Sequence, residues 1–439
     1  MYYSGYISYL AVYGGEPEMP RACLSKYLYG RLIFICIICL FPVFPLAGNA
    51  QPEDEQSAPP FTWTKTGSLA TARTDHTATL LANGKVLVAG GVSGIGIGSK
   101  TLSSCQIYDP STGVWAATGS LKTARWGHAA VLLNSGEVLV TGGVGSNTND
   151  LSTCEIYNPH TGVWTMTGSH ATPRANHPAT LLPSGKVLVT GGWNYESGAA
   201  TSTCEIYNPA TGHWTSTGSL LTERYNHAAI LLSSGKVLVA GGVDTTGDNT
   251  LSDCEIYNPA KGAWTKTGRL ATARSAPAIL LPGGNVLIAG GWSLHSLPDL
   301  SSCEIYNPAK GVWTKTGSLH TARVSGLDGM NLLPCGKVLL SGGAVTSGQG
   351  GMEISPLSSC ELYNPATGVW AMTGSLAAKR CGHRATLLSN GKVLANGGMD
   401  GLIGLSSCEI FNSPSSTKVP GTPTGVSANA ITSGQVTPR

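Results

Sequence analysis

The stretch Cys204–Gly242, CEIYNPATGHWTSTGSLLTERYNHAAILLSSGKVLVAGG, decides the fold of this chain. Close copies of it recur along the sequence. The Trp of the unit falls at Trp63, Trp115, Trp164, Trp214, Trp264, Trp313 and Trp370. The Cys falls at Cys105, Cys154, Cys204, Cys254, Cys303, Cys360 and Cys408, in steps of 49, 50, 50, 49, 57 and 48 residues. A period of about fifty residues with a Gly-Gly, a Tyr and a Trp in each unit points to a radial array of β-sheets. One unit cannot bury its apolar surface alone, so neighbouring units must stack.

Each unit reads as a four-stranded meander. Strand a is the His-x-Ala-x-Leu-Leu run, such as His76–Leu81, followed by a tight turn at Asn83-Gly84. Strand b, Lys85–Gly90, is nearly continuous in apolar residues, as a strand covered on both faces should be. Strand c is the Cys-Glu-Ile-Tyr run, as in Cys154–Tyr157; an Asn-Pro turn leads to strand d, which carries the Trp. Small residues on strand a and at the end of strand b suit inner strands converging on an axis. The Tyr and Trp suit the wider outer spaces. The expectation is an all-β, seven-bladed propeller of four-stranded blades. The last unit has His383–Leu388, Lys392–Asn396 and Cys408–Phe411 but no Trp strand, while Trp63–Thr66 opens the first as an orphan. Pairing the orphan beside Cys408–Phe411 closes the ring and covers a bare edge.

The 439 residues would ordinarily suggest two or three domains, but the repeat joins most of them into one body. Only 12% are charged, the formal net charge is +3, and no Lys/Arg cluster interrupts the repeats, which argues against a nucleic-acid surface. Arg21, Lys26 and Arg31 precede the apolar run Leu32–Leu46, and small residues follow to Ala50. Residues 1–50 therefore read as a signal peptide, with translation starting at Met1 or Met19. The run is shorter than the roughly 20 residues of a membrane span, and Pro42 and Pro45 interrupt it. Membrane contact is expected only through this segment, if it stays uncleaved. The mature protein is expected to be secreted: extracellular, periplasmic or at a cell surface. Residues 51–60 read as a flexible lead-in, 61–413 as the propeller, and 414–439 as a linker. Of the 12 Cys, one per unit sits at an equivalent position. Such thiols lie too far apart around a ring to pair, so they read as small buried apolar groups.

With the Gly-Gly, the Tyr-Asn-Pro turn and the Trp in almost every unit across Trp63–Phe411, the sequence resembles Kelch repeats in galactose-oxidase-like propellers. The resemblance implies a seven-bladed β-propeller. Departures are local: Phe411 replaces the Tyr and Asp109 the Asn. Residues 419–429 resemble the opening strand of a fibronectin type III domain, truncated here.

The b–c loops (92–104, 144–153, 193–203, 243–253, 292–302, 344–359 and 399–407) vary in length and content. Rigid scaffolds usually carry binding sites on such loops. Trp126, Trp193, Tyr195, Tyr225 and Trp292 fall in these loops or in the d–a connections beside them, and His295 lies in the loop of Trp292. They are the candidate ligand-binding residues, either as a platform for sugar rings or partner side chains, or as covers for their own loops. Arg73, Arg125, Arg174, Arg224, Arg274, Arg323 and Arg380 open strand a in every unit; His76, His128, His177, His227 and His383 follow three residues later. The recurrence of the Arg predicts a structural role, bonding to carbonyls or to the strand-c Glu, and a ring of five His is too wide for one ion.

Galactose-oxidase-type enzymes, by the resemblance, hold copper with Tyr and His and carry a Tyr–Cys cofactor. This sequence lacks their adjacent Tyr-His pair. The expectation is therefore a binding or scaffold module for an extracellular glycan or a protein, not an enzyme, with no catalytic residue, metal or cofactor. The alternative is a copper radical oxidase-like enzyme with an unrecognised site.

Overall fold

The computed structural model describes residues 61–413 except 95–97, 247–248, 294–298, 325–328 and 348–352. The expected signal peptide, lead-in and C-terminal linker, together with His295, lie outside the described residues. The described residues form seven four-stranded antiparallel sheets and no helix. Blade four is typical, with Ala228–Leu231, Val237–Ala240, Cys254–Asn258 and Ala263–Lys266 bonded in that order.

Its register sets Tyr257 opposite Trp264 across the c–d turn. The same Tyr–Trp pair recurs in blades one to six with ring centroids 5.0–5.1 Å apart. Such pairs contribute about 0.5–1.5 kcal/mol beyond their buried area. They also stitch blades together. The Tyr hydroxyl shares a hydrogen bond with a Thr on strand d of the preceding blade, as in Tyr108–Thr66 and Tyr157–Thr118, both 2.7 Å. The Trp115 and Trp164 indoles donate to the carbonyls of Gly67 and Gly119, each at 2.9 Å.

Strand b is buried along its whole length because each sheet is sandwiched between two others. This is why the sequence there runs apolar instead of alternating. The double Gly at its end has a steric cause. Gly90 and Gly91 have φ of 63° and 94°. A β-carbon on Gly90 would sit 2.5 Å from the Arg125 carbonyl of the next blade, and one on Gly91 would sit 2.5 Å from the Thr74 carbonyl.

Blade seven is built from both ends of the described chain. Thr62–Thr66 pairs with Cys408–Asn412, with Trp63 opposite Phe411 and Thr62 opposite Asn412. Phe411 packs on Trp63 at 5.1 Å. It lacks the hydroxyl that meets Thr in the other blades, while Thr373 keeps the contact to the carbonyl of Phe61, at 3.3 Å. Residues 61 and 412 thus lie together at the face of the c–d turns, away from the b–c loops. The seven repeated Cys are buried free thiols. Each donates to the carbonyl two residues earlier, and burial pushes them up, Cys105 to about 11 and Cys154 to about 12.

Candidate binding face

The b–c loops rest on the repeated arginines, all fully buried. In blade four, Arg224 Nη1 donates to the carbonyls of Gly241 (2.7 Å) and Asp253 (2.9 Å), and Nη2 donates to Glu255 Oε1 (2.8 Å). The other oxygen of Glu255 accepts the Leu221 amide at 2.8 Å. One guanidinium thus ties the end of strand b to the start of strand c, and its carboxylate partner adds the d–a connection. Arg125, Arg174, Arg274, Arg323 and Arg380 repeat this with Glu155, Glu205, Glu304, Glu361 and Glu409 at 2.7–3.0 Å. Blade one differs. Gln106 stands in the Glu position, and burial lowers Arg73 to about 10. Arg73 is held instead by Gly90 O, Ser104 O and Ser104 Oγ.

The residue after each Arg bridges to the residue after each Gly-Gly. The pairs are Thr74–Val92, Trp126–Val144, Ala175–Trp193, Tyr225–Val243, Ser275–Trp292, Val324–Ala344 and Cys381–Met399. Every aromatic member faces a small or β-branched partner. The next residue inward is left-handed at Asp75, Gly127, Asn176, Asn226 and Gly382, with φ between 50° and 62°. Asp, Asn and Gly are the residues that tolerate this conformation. Gly127 donates its amide to Asp75 O, Asn176 to Gly127 O and Asn226 to Asn176 O, at 2.8–3.2 Å, linking blades one to four.

The five histidines of strand a lock blade to blade. Nε2 of His177 and of His227 meets Thr141 and Thr190 at 2.8 Å, while His383 meets Ser341 at 3.1 Å and His76 meets Asn396 at 2.8 Å. These partners end strand b of the preceding blade. Blade one ends strand b in Ala89, so His128 turns to Thr77, 3.0 Å away and directly across the ladder from Ala89. Blades four and five also end strand b in Ala (Ala240, Ala289). The unit after blade four has Ala276 where the His would stand, its Cβ against Gly291 as that of His76 is against Gly91, and no His follows Arg323 before strand a of the next unit. Burial pushes the imidazoles well below their ordinary range, His383 to about 3. With Nε2 engaged at five separate junctions, these histidines do not fit one copper ion. Among the described residues, no three His, Cys, Asp or Glu gather as a metal-holding group.

The candidate aromatic residues meet. Trp126 contacts Tyr195 at 6.0 Å, Tyr195 contacts Trp193 at 6.2 Å, and Trp193 contacts Tyr225 at 4.9 Å. Trp292 joins the same cluster as Tyr225 and Trp193. The result is one arc over blades two to five. Its exposure is uneven: Trp126, Tyr225 and Trp292 are 8%, 3% and 7% exposed, while Trp193 and Tyr195 are half-buried. Both expected uses of these residues therefore occur together: Trp193 and Tyr195 are partly exposed, while Trp126, Tyr225 and Trp292 are covered among the loops. Two signals in the sequence pointed to parts of this face without being read. One was the Asp, Gly or Asn two residues after Arg; the other was the alternation of Thr/Ser/Asn with Ala at the end of strand b.

These features define a class: a seven-bladed β-propeller with Kelch motifs in four of its repeats. The Kelch motif model matches residues 73–122, 125–169, 174–221 and 224–270, each match beginning at a repeated Arg. An F-box/kelch-repeat protein of Arabidopsis thaliana is 39% identical over 80 residues, which cover 18% of this chain and 20% of that protein. Among solved structures, a fungal alcohol oxidase of the AA5 family in complex with copper aligns with a TM-score of 0.63. It is 20% identical over 80% of this chain and 76% of its own. That likeness is one of fold. It overturns the sequence-based expectation that the chain is not an enzyme, since this architecture also carries an alcohol oxidase. Kelch repeats generally mediate protein binding, and the fold supports a binding or scaffold role.

Proposed function

We propose that the protein is exported and uses the b–c loop face of its propeller to bind an extracellular glycan or protein, with Trp193 and Tyr195 as the presented contacts. The observation that carries this reading is the aromatic arc, which holds two half-buried rings rigidly on a buried aromatic base. Rings fixed this way lose little entropy on stacking against a sugar or an apolar side chain. Residues 61 and 412 sit on the opposite side, at the face of the c–d turns. The test is a glycan array and a partner capture with the full chain, beside Trp193→Ala and Tyr195→Ala variants. Selective binding lost in both variants supports the face. Binding retained in both places the ligand elsewhere.

A second reading, an oxidase-like enzyme, is favoured by the structural likeness to the AA5 alcohol oxidase. It is tested by copper titration of the full chain, followed by peroxide detection with primary alcohols. Stoichiometric copper and turnover support it; neither appearing rejects it.

A further inference from the structure

Neighbouring b–c loops are held together by aspartates at one repeat position. Asp150, just before Leu151 at the end of the blade-two loop, accepts the backbone amides of Tyr195 and Glu196 in the blade-three loop through Oδ2. Asp299, just before Leu300 in the blade-five loop, accepts the amide and hydroxyl of Thr346 in the blade-six loop at 2.6 and 2.7 Å. Tyr195 and Thr346 both lie three residues after their Gly-Gly. The same latch is thus built twice, at positions 45 and 47 residues apart in sequence. The first is part of the proposed binding face, because the turn it holds carries Tyr195 between Trp126 and Trp193.

We propose that Asp150 is a positioning residue whose ionised carboxylate holds the 193–200 hairpin, so that mild acid releases Tyr195 and loosens the aromatic arc. The latch itself stands on the hydrogen bonds; its role in ligand binding rests on the function proposed above. A carboxylate accepts two amides through one oxygen well, whereas a neutral carboxyl accepts them weakly. Oδ1 is buried without a partner among the described residues, so burial raises this carboxyl to about 6. The charged group facing it is Glu196, on the latched turn, which pushes in the same direction. Residues 143–149 of its own loop carry no charge. Arg125 and Arg174, at the base of the flanking connections, are paired with Glu155 and Glu205.

Hydrogen exchange of the full chain tests this without a ligand. After correction for intrinsic exchange rates, amides of residues 195–196 should lose protection by about tenfold or more between roughly pH 7.5 and 5, the size of a charge-assisted hydrogen bond. Asp150→Asn should show the weakened protection at both pH values, and Asp75→Asn should leave the pH dependence in place. Unchanged wild-type protection across this range overturns the proposal, and so does wild-type behaviour of Asp150→Asn. If that variant does not fold, the wild-type series alone decides. A failure of the glycan or partner assay at neutral pH would count against the binding reading and leave the latch untouched.

Discussion

At the scale of single residues, blade one contains a natural experiment. Gln106 sits where Glu supports Arg in the other six blades, and its Oε1 accepts the Ala70 amide at 3.0 Å. Arg73 keeps its charge on carbonyl and hydroxyl partners alone. Gln106→Glu should therefore stabilise the protein, and Glu255→Gln, which transplants the blade-one arrangement into blade four, should destabilise it by about 1.5–3 kcal/mol. Denaturant midpoints moving in opposite directions would support this; both variants moving the same way would refute it. The repeated Arg and its Glu were legible in sequence because both recur at fixed spacing. Their joint hold on three backbone segments was not, since those segments are separated by about thirty residues and converge only when the blade folds.

Elements come next. The Thr62–Thr66 strand completes blade seven by pairing with a partner almost 350 residues away. Removing residues 61–67 should bare the edge of Cys408–Asn412 and empty the Trp63 site, giving an aggregating or unfolded chain. Normal thermal melting of the truncated protein would reject that role. The loop aromatics divide by burial. Trp292→Ala leaves a cavity beneath the face and should cost about 3–5 kcal/mol. Trp193→Ala removes a half-buried ring and should cost clearly less, so it is the substitution suited to binding assays. Equal losses of stability would contradict this difference in burial. Sequence placed all five described aromatics on one face, because strand connectivity alone decides which side of a meander a loop emerges from. Which rings are covered depended on how neighbouring loops pack over them.

For the whole molecule, the buried histidines dominate the response to acid. His76, His128, His177, His227, His383 and His170 are all held neutral by burial, below the ordinary imidazole value near 6.5. Their folded pKa values lie under the unfolded one, so this stability is fully present above about 6.5 and is lost as pH falls. Each contributes up to about 1.4 kcal/mol per pH unit in that window. Asp75 and Asp150, raised to about 6, and Asp299, also raised, oppose it, since the folded state takes up their protons first. Six outweigh three, so the melting temperature should fall as pH drops from about 7 to 5. His177→Asn should flatten that slope by about one proton. A flat melting curve over this range in the wild type would remove the argument.

The sequence by itself determined the architecture. The period, the double Gly, the continuous apolar strand b and the Tyr–Trp pair are local demands that each unit repeats, and repetition makes them readable. It also determined which loops share a face. Only the tertiary structure decided how those loops are used: which aromatic is covered, which His finds a hydroxyl, and where an Asp reaches into the next blade. Those outcomes depend on contacts between neighbouring units, where one unit's side chain meets the side chains or backbone of another. Such contacts lie at blade junctions and leave no period within a unit.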